Sequence, residues 1–131
     1  MANVVTTQII EDGERNAIVK VTGTLDTADL VGQVIVDCSQ LTQGGTAPKP
    51  NQVRIDHIDY SISDPLELQL FWDATVPQPL LPLAGRGRMS FWNFGGLQNN
   101  AGAGKTGNIT LTTTGGTGTQ IFSLVLELVK Q

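Results

Sequence analysis

The sequence predicts an all-β domain, a two-sheet β-sandwich of the jelly-roll type with about eight strands. Three observations support this fold class. Apolar residues recur in short runs separated by turn residues, Gly and Thr are abundant, and helical periodicity is nearly absent. Because 131 residues is an ordinary size for one domain, we expect residues 1–131 to fold around a single core. An immunoglobulin-like sandwich is the alternative arrangement.

The first half of the chain contains four predicted strands, at residues 4–10, 16–25, 30–37 and 53–63. Asp12-Gly13 supplies the positive backbone dihedral that a tight turn between the first two requires. The third strand is rich in Val and Ile, which suit a pleated surface. Residues 42–51 contain Gly-Gly and Pro-Lys-Pro, which cannot continue a sheet ladder, so we expect an exposed loop before the fourth strand.

The second half contains four more predicted strands, at residues 66–74, 89–94, 108–114 and 119–129. Asp64-Pro65 is predicted to form the turn before the strand at residues 66–74. There the apolar residues Leu66, Leu68, Leu70 and Trp72 occupy every second position, which is the period of a half-buried strand. The last segment is apolar on both faces, which predicts a central position in a sheet.

Charge and composition exclude several classes of partner. The formal net charge is −4 and the eight Lys and Arg residues are spread along the chain, whereas neutralising many phosphates requires a basic cluster. We therefore expect no nucleic-acid partner. No run approaches the roughly 18 apolar residues of a membrane span and no signal peptide is recognisable, so we expect cytoplasmic synthesis and no membrane partner. Cys38 is the single cysteine, and we expect it to stay a reduced thiol.

The glycine-rich run at residues 101–107 matches two nucleotide-binding motifs in part. Gly104-Lys105-Thr106 has the ending of a P-loop, but Asn99 occupies the position of the first glycine of that motif. A strand, not a helix, is predicted to follow, so no helix N-terminus would receive a phosphate. Glycines at 102, 104 and 107 fit the dinucleotide fingerprint, again without its strand and helix. We expect neither a nucleotide site nor any other cofactor.

His57 is the residue most suggestive of catalysis, because Asp56, Asp59, Ser61 and Ser63 are close to it in sequence. A hydrolytic triad also requires a nucleophile presented at a strained turn, and the Gly-x-Ser-x-Gly signature is absent. A metal site needs three or four converging ligands. We therefore expect no catalytic or metal-binding residues, and a small hydrolase built on the same sandwich remains the alternative.

The segment at residues 76–85 is the part of the chain that folding alone does not explain. Its three prolines predict a loop outside the sheets, yet its leucines favour burial by roughly 1.5–3 kcal/mol each. Two arginines follow, a residue type favoured at the rim of interfaces. We therefore expect an intersubunit contact, with the chain's own core as the alternative cover. The residues of this expected interface are Leu80, Leu81, Leu83, Arg86 and Arg88.

Several runs spread over most of the chain resemble small structural proteins of tailed bacteriophages. These runs are Asp-Gly-Glu-Arg-Asn at 12–16, Val-Arg-Ile-Asp at 53–56, Tyr-Ser-Ile-Ser-Asp at 60–64, Trp-Asp-Ala at 72–74, Pro-Leu-Ala-Gly-Arg-Gly-Arg at 82–88, and Phe-Gly-Gly-Leu-Gln-Asn-Asn-Ala-Gly-Ala-Gly at 94–104. Within this group the chain is most similar to capsid decoration, or cement, proteins.

The resemblance implies a jelly-roll-like fold and a virion structural protein that binds and stabilises the capsid lattice. Its implied location is the capsid surface, over junctions between subunits of the major capsid protein, which would be its partner. We also expect a homo-oligomer, either a dimer or a trimer. The alternative is a receptor- or carbohydrate-binding β module of a phage tail or fibre.

Overall fold

The computed structural model describes residues 3–12, 16–26, 29–38, 41, 52–63, 66–115 and 118–130. Within these ranges the chain forms nine strands and one short 3₁₀ helix, Trp92–Phe94. The strands are β1 (Val4–Asp12), β2 (Asn16–Asp26), β3 (Gln33–Val36), β4 (Val53–Ile62), β5 (Glu67–Trp72), β6 (Gln78–Leu83), β7 (Arg86–Ser90), β8 (Ile109–Thr114) and β9 (Thr119–Lys130). The expected all-β fold is confirmed.

The strands form two antiparallel sheets, one with the order β1-β2-β9-β4-β7 and one with the order β3-β8-β5-β6. The pairs β2–β9, β3–β8, β4–β7 and β5–β6 are nested within one another along the chain. This nesting is what results when one long hairpin, with its turn between β5 and β6, is rolled up. It is the jelly-roll arrangement that the sequence predicts, and β1 is an added strand at the edge of the five-stranded sheet.

The core lies between the two sheets. In β5, Leu68, Leu70 and Trp72 are buried while Glu67 and Gln69 are exposed, which confirms the period of two. The largest fully buried side chains come from strands of both sheets and, for Leu41 and Leu66, from outside the strands, and they are Trp72, Leu25, Ile35, Leu41, Ile55, Ile58, Leu66, Leu68, Leu70, Ile109, Leu111 and Leu124. The central position predicted for the last strand is also confirmed, because β9 pairs with β2 on one side and β4 on the other.

The prediction of a loop at residues 76–85 is wrong. Gln78–Leu83 forms β6, which pairs with β5 at the edge of the four-stranded sheet. Pro79 and Pro82 are tolerated because an edge strand pairs on one side only, so the sheet does not require every backbone donor. The register of this pair shifts between Leu70 and Phe71, which accommodates one extra residue as a bulge.

Other predicted boundaries also change. The strand expected at residues 89–94 lies earlier, at Arg86–Ser90, and the 3₁₀ helix Trp92–Phe94 follows it. The strand expected at residues 30–37 contains only Gln33–Val36. The loop predicted at residues 42–51 and the turn at Asp64-Pro65 lie outside the described residues.

Candidate interaction surfaces

The predicted interface residues lie along one lateral side of the sandwich. β6 is an edge of the four-stranded sheet and β7 is an edge of the five-stranded sheet, and the two strands are joined by Ala84 and Gly85. We call residues 78–90 the β6–β7 side. Gly85 has φ of 72°, a conformation that glycine adopts without strain, and its carbonyl accepts a hydrogen bond from the Ile62 N–H at 2.7 Å. This bond anchors the crossing between the sheets.

The three leucines of the β6–β7 side differ in burial. Leu83 is only 3% exposed and belongs to the core, so its side chain is covered by its own domain and does not lie at the surface where an interface is expected. Its register partner Leu68 is buried beside it. Leu80 and Leu81 are half-buried and pack against the core, which leaves part of each side chain at the surface.

The two arginines of the β6–β7 side also differ. Arg88 pairs through Nη1 with Asp59 Oδ2 and through Nη2 with Glu127 Oε2, both at 3.1 Å. These three exposed groups connect β7, β4 and β9, and exposed ion pairs of this kind contribute little to stability. Within the described part of the chain Arg86 forms no ion pair. Arg86 is therefore the more available cation.

A cleft of about 740 Å³ opens next to Arg86 at one end of the five-stranded sheet. Cross-strand pairing sets Thr22 of β2, Ser123 of β9, Ser61 of β4 and Arg86 of β7 side by side in one row. Thr24 and Ser63 add two more hydroxyl groups to the lining. The described lining therefore combines several hydroxyl groups and one cation with the apolar side chains of Ile62, Ile121 and Phe122.

In the sequence, Ser61 and Ser63 stand out only as neighbours of His57, and no motif points to Thr22, Thr24 or Ser123. Each pair has the strand spacing of two, at 22 and 24 and at 61 and 63, so the available signal was a pair of hydroxyl residues on one face of a predicted strand. That signal does not predict that residues about 40 to 100 positions apart along the chain lie side by side. Only the register between strands does so.

His57 does not join the hydrolytic arrangement that its sequence neighbours suggest. Its Nδ1 lies 2.9 Å from Ser90 Oγ on the paired strand β7, not next to Ser61 or Ser63. Asp56 instead accepts from Arg54 Nε at 3.1 Å, and Asp59 pairs with Arg88. Among the described residues no group of three or more His, Cys, Asp or Glu side chains is arranged to hold a metal ion.

The glycine-rich run and the residues just before it, 95–107 in all, are held to the sandwich by backbone hydrogen bonds. Leu97 and Ile55 exchange two of them, at 2.8 and 3.1 Å, and the Thr106 N–H donates to the Asp73 carbonyl at 3.1 Å. Lys105 Nζ donates to Gln52 Oε1 at 3.1 Å. The run leads into strand β8, as predicted, and no helix of the described residues presents its N-terminus to Lys105. The geometry of a P-loop is therefore missing here.

Cys38 is buried next to the end of this run. Its thiol donates to the Gly107 carbonyl, with an Sγ to oxygen distance of 2.9 Å, and its N–H donates to Asn108 Oδ1 at 2.9 Å. Loss of solvation by burial, with a smaller effect of the Asp37 charge, raises the pKa of Cys38 from 9.0 to about 11. The thiol is therefore protonated and shielded at neutral pH.

None of the described helical segments has the length and apolar character needed to cross a membrane. No protein-family model, no curated protein and no solved structure matches this chain.

Proposed function

We propose that this chain is a virion structural protein that decorates the capsid surface of a tailed bacteriophage and stabilises the lattice of its major capsid protein. The observation that carries the proposal is the composition of the β6–β7 side, which contains both the half-buried Leu80 and Leu81 and the cation Arg86, for which the described residues provide no ion pair. An apolar centre with an arginine at its rim is the usual composition of a protein interface. The sequence resemblance to decoration proteins supplies the identity of the partner.

The positive charge of Arg86 supports contact between the hydroxyl-lined cleft and an acidic surface of the partner. The chain has a formal net charge of −4, yet among the described residues that line the cleft Arg86 is the one charged side chain. A carboxylate of a capsid subunit placed there would form a charge-assisted bond with the guanidinium and further bonds with Ser61 and Ser123. Such a contact provides orientation as well as affinity.

A decoration protein does not require a strong contact at each site. When one molecule contacts two or more lattice subunits, it stabilises the assembled state by mass action because it binds assembled and not separated subunits. If the chain is itself a homo-oligomer, the linked contacts reinforce one another. A small β-sandwich made in the host cytoplasm and recruited to the finished shell fits this mode of action.

The proposed function is tested by adding the purified chain to capsid shells assembled from the major capsid protein without it. We expect saturable co-sedimentation with a fixed number of copies per capsid subunit and greater resistance of the shell to heat. Free unassembled capsid subunits are the control, and we expect much weaker binding to them. Absence of co-sedimentation at any protein concentration would contradict the proposal.

A receptor- or carbohydrate-binding module of a phage tail or fibre is the second candidate, and the cleft favours it. Hydroxyl groups and an arginine are suitable partners for an acidic sugar. A glycan array with acidic and neutral glycans distinguishes the two functions. Selective binding of an acidic glycan that is lost in a Ser61→Ala and Ser123→Ala double variant would support the second candidate. An array without signal would remove it.

A further inference from the structure

The four edges of the two sheets are unequally protected against pairing with further strands. β6 contains Pro79 and Pro82, β7 contains two arginines within five residues, and β3 has four residues with a register shift. Prolines, charges, short length and bulges are the devices that prevent edge-to-edge association. Three of the four edges therefore have such protection.

β1 lacks most of these devices. It is nine residues long, contains no proline, lysine or arginine, and pairs with β2 on one side only among the described strands. Val4, Ile9 and Ile10 on it are 59, 39 and 51% exposed. Its one irregularity lies between Ile9 and Glu11, so the stretch from Val4 to Ile9 is regular. A long and mostly uncharged edge of this kind is a template for another strand.

The sequence of β1 matches itself when it is read in the opposite direction around Thr7. In an antiparallel pair centred on Thr7, Val5 faces Ile9 of the second copy and Thr6 faces Gln8. Apolar residues then meet apolar residues, and the acidic Glu11 falls beyond the central pairs. Moving the centre to Gln8 would set Val5 opposite Glu11, and moving it to Thr6 would leave Ile9 opposite Asn3. The Thr7 register is therefore favoured.

An apolar groove beside β1 gives a second reason for a partner. The groove has a volume of about 240 Å³ and lies between β1 and β3, where Thr7, Ile9, Val34 and Leu41 are among the lining residues. The register pairs of Ile9 and Thr7 are the buried Val19 and Val21, so Ile9 and Thr7 lie on the core-facing side of the sheet. Extension of this sheet would bring the second copy's Val5 next to Ile9, at the mouth of the groove.

We propose that two copies of this chain associate through β1, in antiparallel register centred on Thr7, and join their five-stranded sheets into one continuous sheet. The second copy is the occupant because β1 complements itself on both faces in a single register. This twofold contact is isologous, so it closes at a dimer and leaves the β6–β7 side of each copy free. The inference does not depend on the proposed capsid function.

A pair of charge variants tests both the dimer and its register. In the proposed register, position 6 of each copy faces position 8 of the other. The double variant Thr6→Glu, Gln8→Glu therefore places two negative charges opposite each other at both of these pairs. Thr6→Lys with Gln8→Glu alters the same exposed positions but sets opposite charges there. Both positions are exposed in the single chain, and Gln8 lies beside Lys20, so an acid at position 8 is compatible with the fold. Circular dichroism would verify that both variants are folded.

Sedimentation velocity over a wide concentration range provides the readout. We expect the wild type to reach twice the mass of the 14.0 kDa chain. The Glu/Glu variant should weaken the dimer by at least about tenfold, with partial recovery in high salt, and the Lys/Glu variant should stay close to the wild type. A wild type that remains monomeric at high concentration would overturn the proposal and leave β1 for a strand of a different protein. Equal dimerisation of the two variants would also overturn it.

Discussion

The ring of Phe122 on β9 lies against Gly23 on β2, its partner in the strand register. A Cβ atom added at Gly23 would overlap the ring, whose Cδ1 atom would be 3.0 Å away. Phe122 is buried, so the ring cannot move out of the way into solvent. An aromatic side chain thus fills the space that the missing glycine side chain leaves between β2 and β9 of the five-stranded sheet.

This contact predicts a steric penalty for Gly23→Ala. We expect the free energy of unfolding to fall by about 1–3 kcal/mol, the usual cost of overpacking a core, as measured by urea unfolding. Gly102→Ala is the matched control, since nothing lies within 4 Å of a Cβ there, and it should change stability by less than about 0.5 kcal/mol. In a Phe122→Ala background the penalty of Gly23→Ala should disappear. An equal penalty in both backgrounds would refute the steric explanation.

Leu83 provides a test of the corrected position of the proline-containing segment. Because the side chain is buried in the core, Leu83→Ala should reduce the free energy of unfolding by about 2–5 kcal/mol. Leu80→Ala, in the same strand and half-buried, should cost clearly less. Urea unfolding of both variants gives the comparison. Equal and small effects would indicate that β6 is not packed on the core.

Burial of Cys38 predicts a particular dependence of stability on pH. The unfolded thiol ionises around its ordinary pKa of 9.0, whereas the folded thiol holds its proton up to about 11. Between these values the unfolded state binds fewer protons, so the free energy of unfolding should fall as pH rises, and this loss is complete above pH 11. Stability from this source is fully present below pH 9.

Unfolding curves at a series of pH values, for the wild type and Cys38→Ala, measure this contribution. The decline between pH 9 and 11 should be shallower in the variant. A thiol reagent at neutral pH provides a second measurement, because labelling of Cys38 should require unfolding. Rapid labelling of the folded chain, or identical pH profiles, would be inconsistent with a buried thiol.

The proposed contact at Arg86 predicts that capsid binding is sensitive to charge at this position. We expect Arg86→Glu to weaken co-sedimentation with capsid shells by about tenfold or more, the effect of losing roughly 1.4 kcal/mol. Lys105→Glu is the control, since it makes the same change of charge on an exposed loop residue whose partner is Gln52. Equal loss of binding in both variants would indicate a general charge effect instead of a contact at Arg86.

The parts of the fold that depend on local pattern could be predicted from the sequence. The alternation at Leu68, Leu70 and Trp72 identified β5, and the two apolar faces of β9 placed it between two neighbours. About eight short predicted strands favoured a jelly roll over an immunoglobulin-like sandwich, although β6 was not among them. These features follow from the hydrophobic period and the composition of short stretches of sequence, which can be recognised from neighbouring residues alone.

The features that depend on tertiary position could not be predicted. Pro79 and Pro82 indicate either a loop or an edge strand, and only the location of β6 at the end of a sheet decides between them. Likewise, Ser61, Arg86 and Ser123 form one row because of the pairing of β4 with β7 and β9. Register between distant strands is not contained in any short stretch of sequence.

Cryo-electron microscopy of the proposed phage particle, assembled with and without this chain, tests the proposed role most directly. We expect density for a two-sheet sandwich that repeats over the whole shell at junctions between capsid subunits, with the β6–β7 side and Arg86 facing the lattice. Density for the chain confined to the tail or neck, with a bare capsid surface, would contradict the proposal that it is a decoration protein.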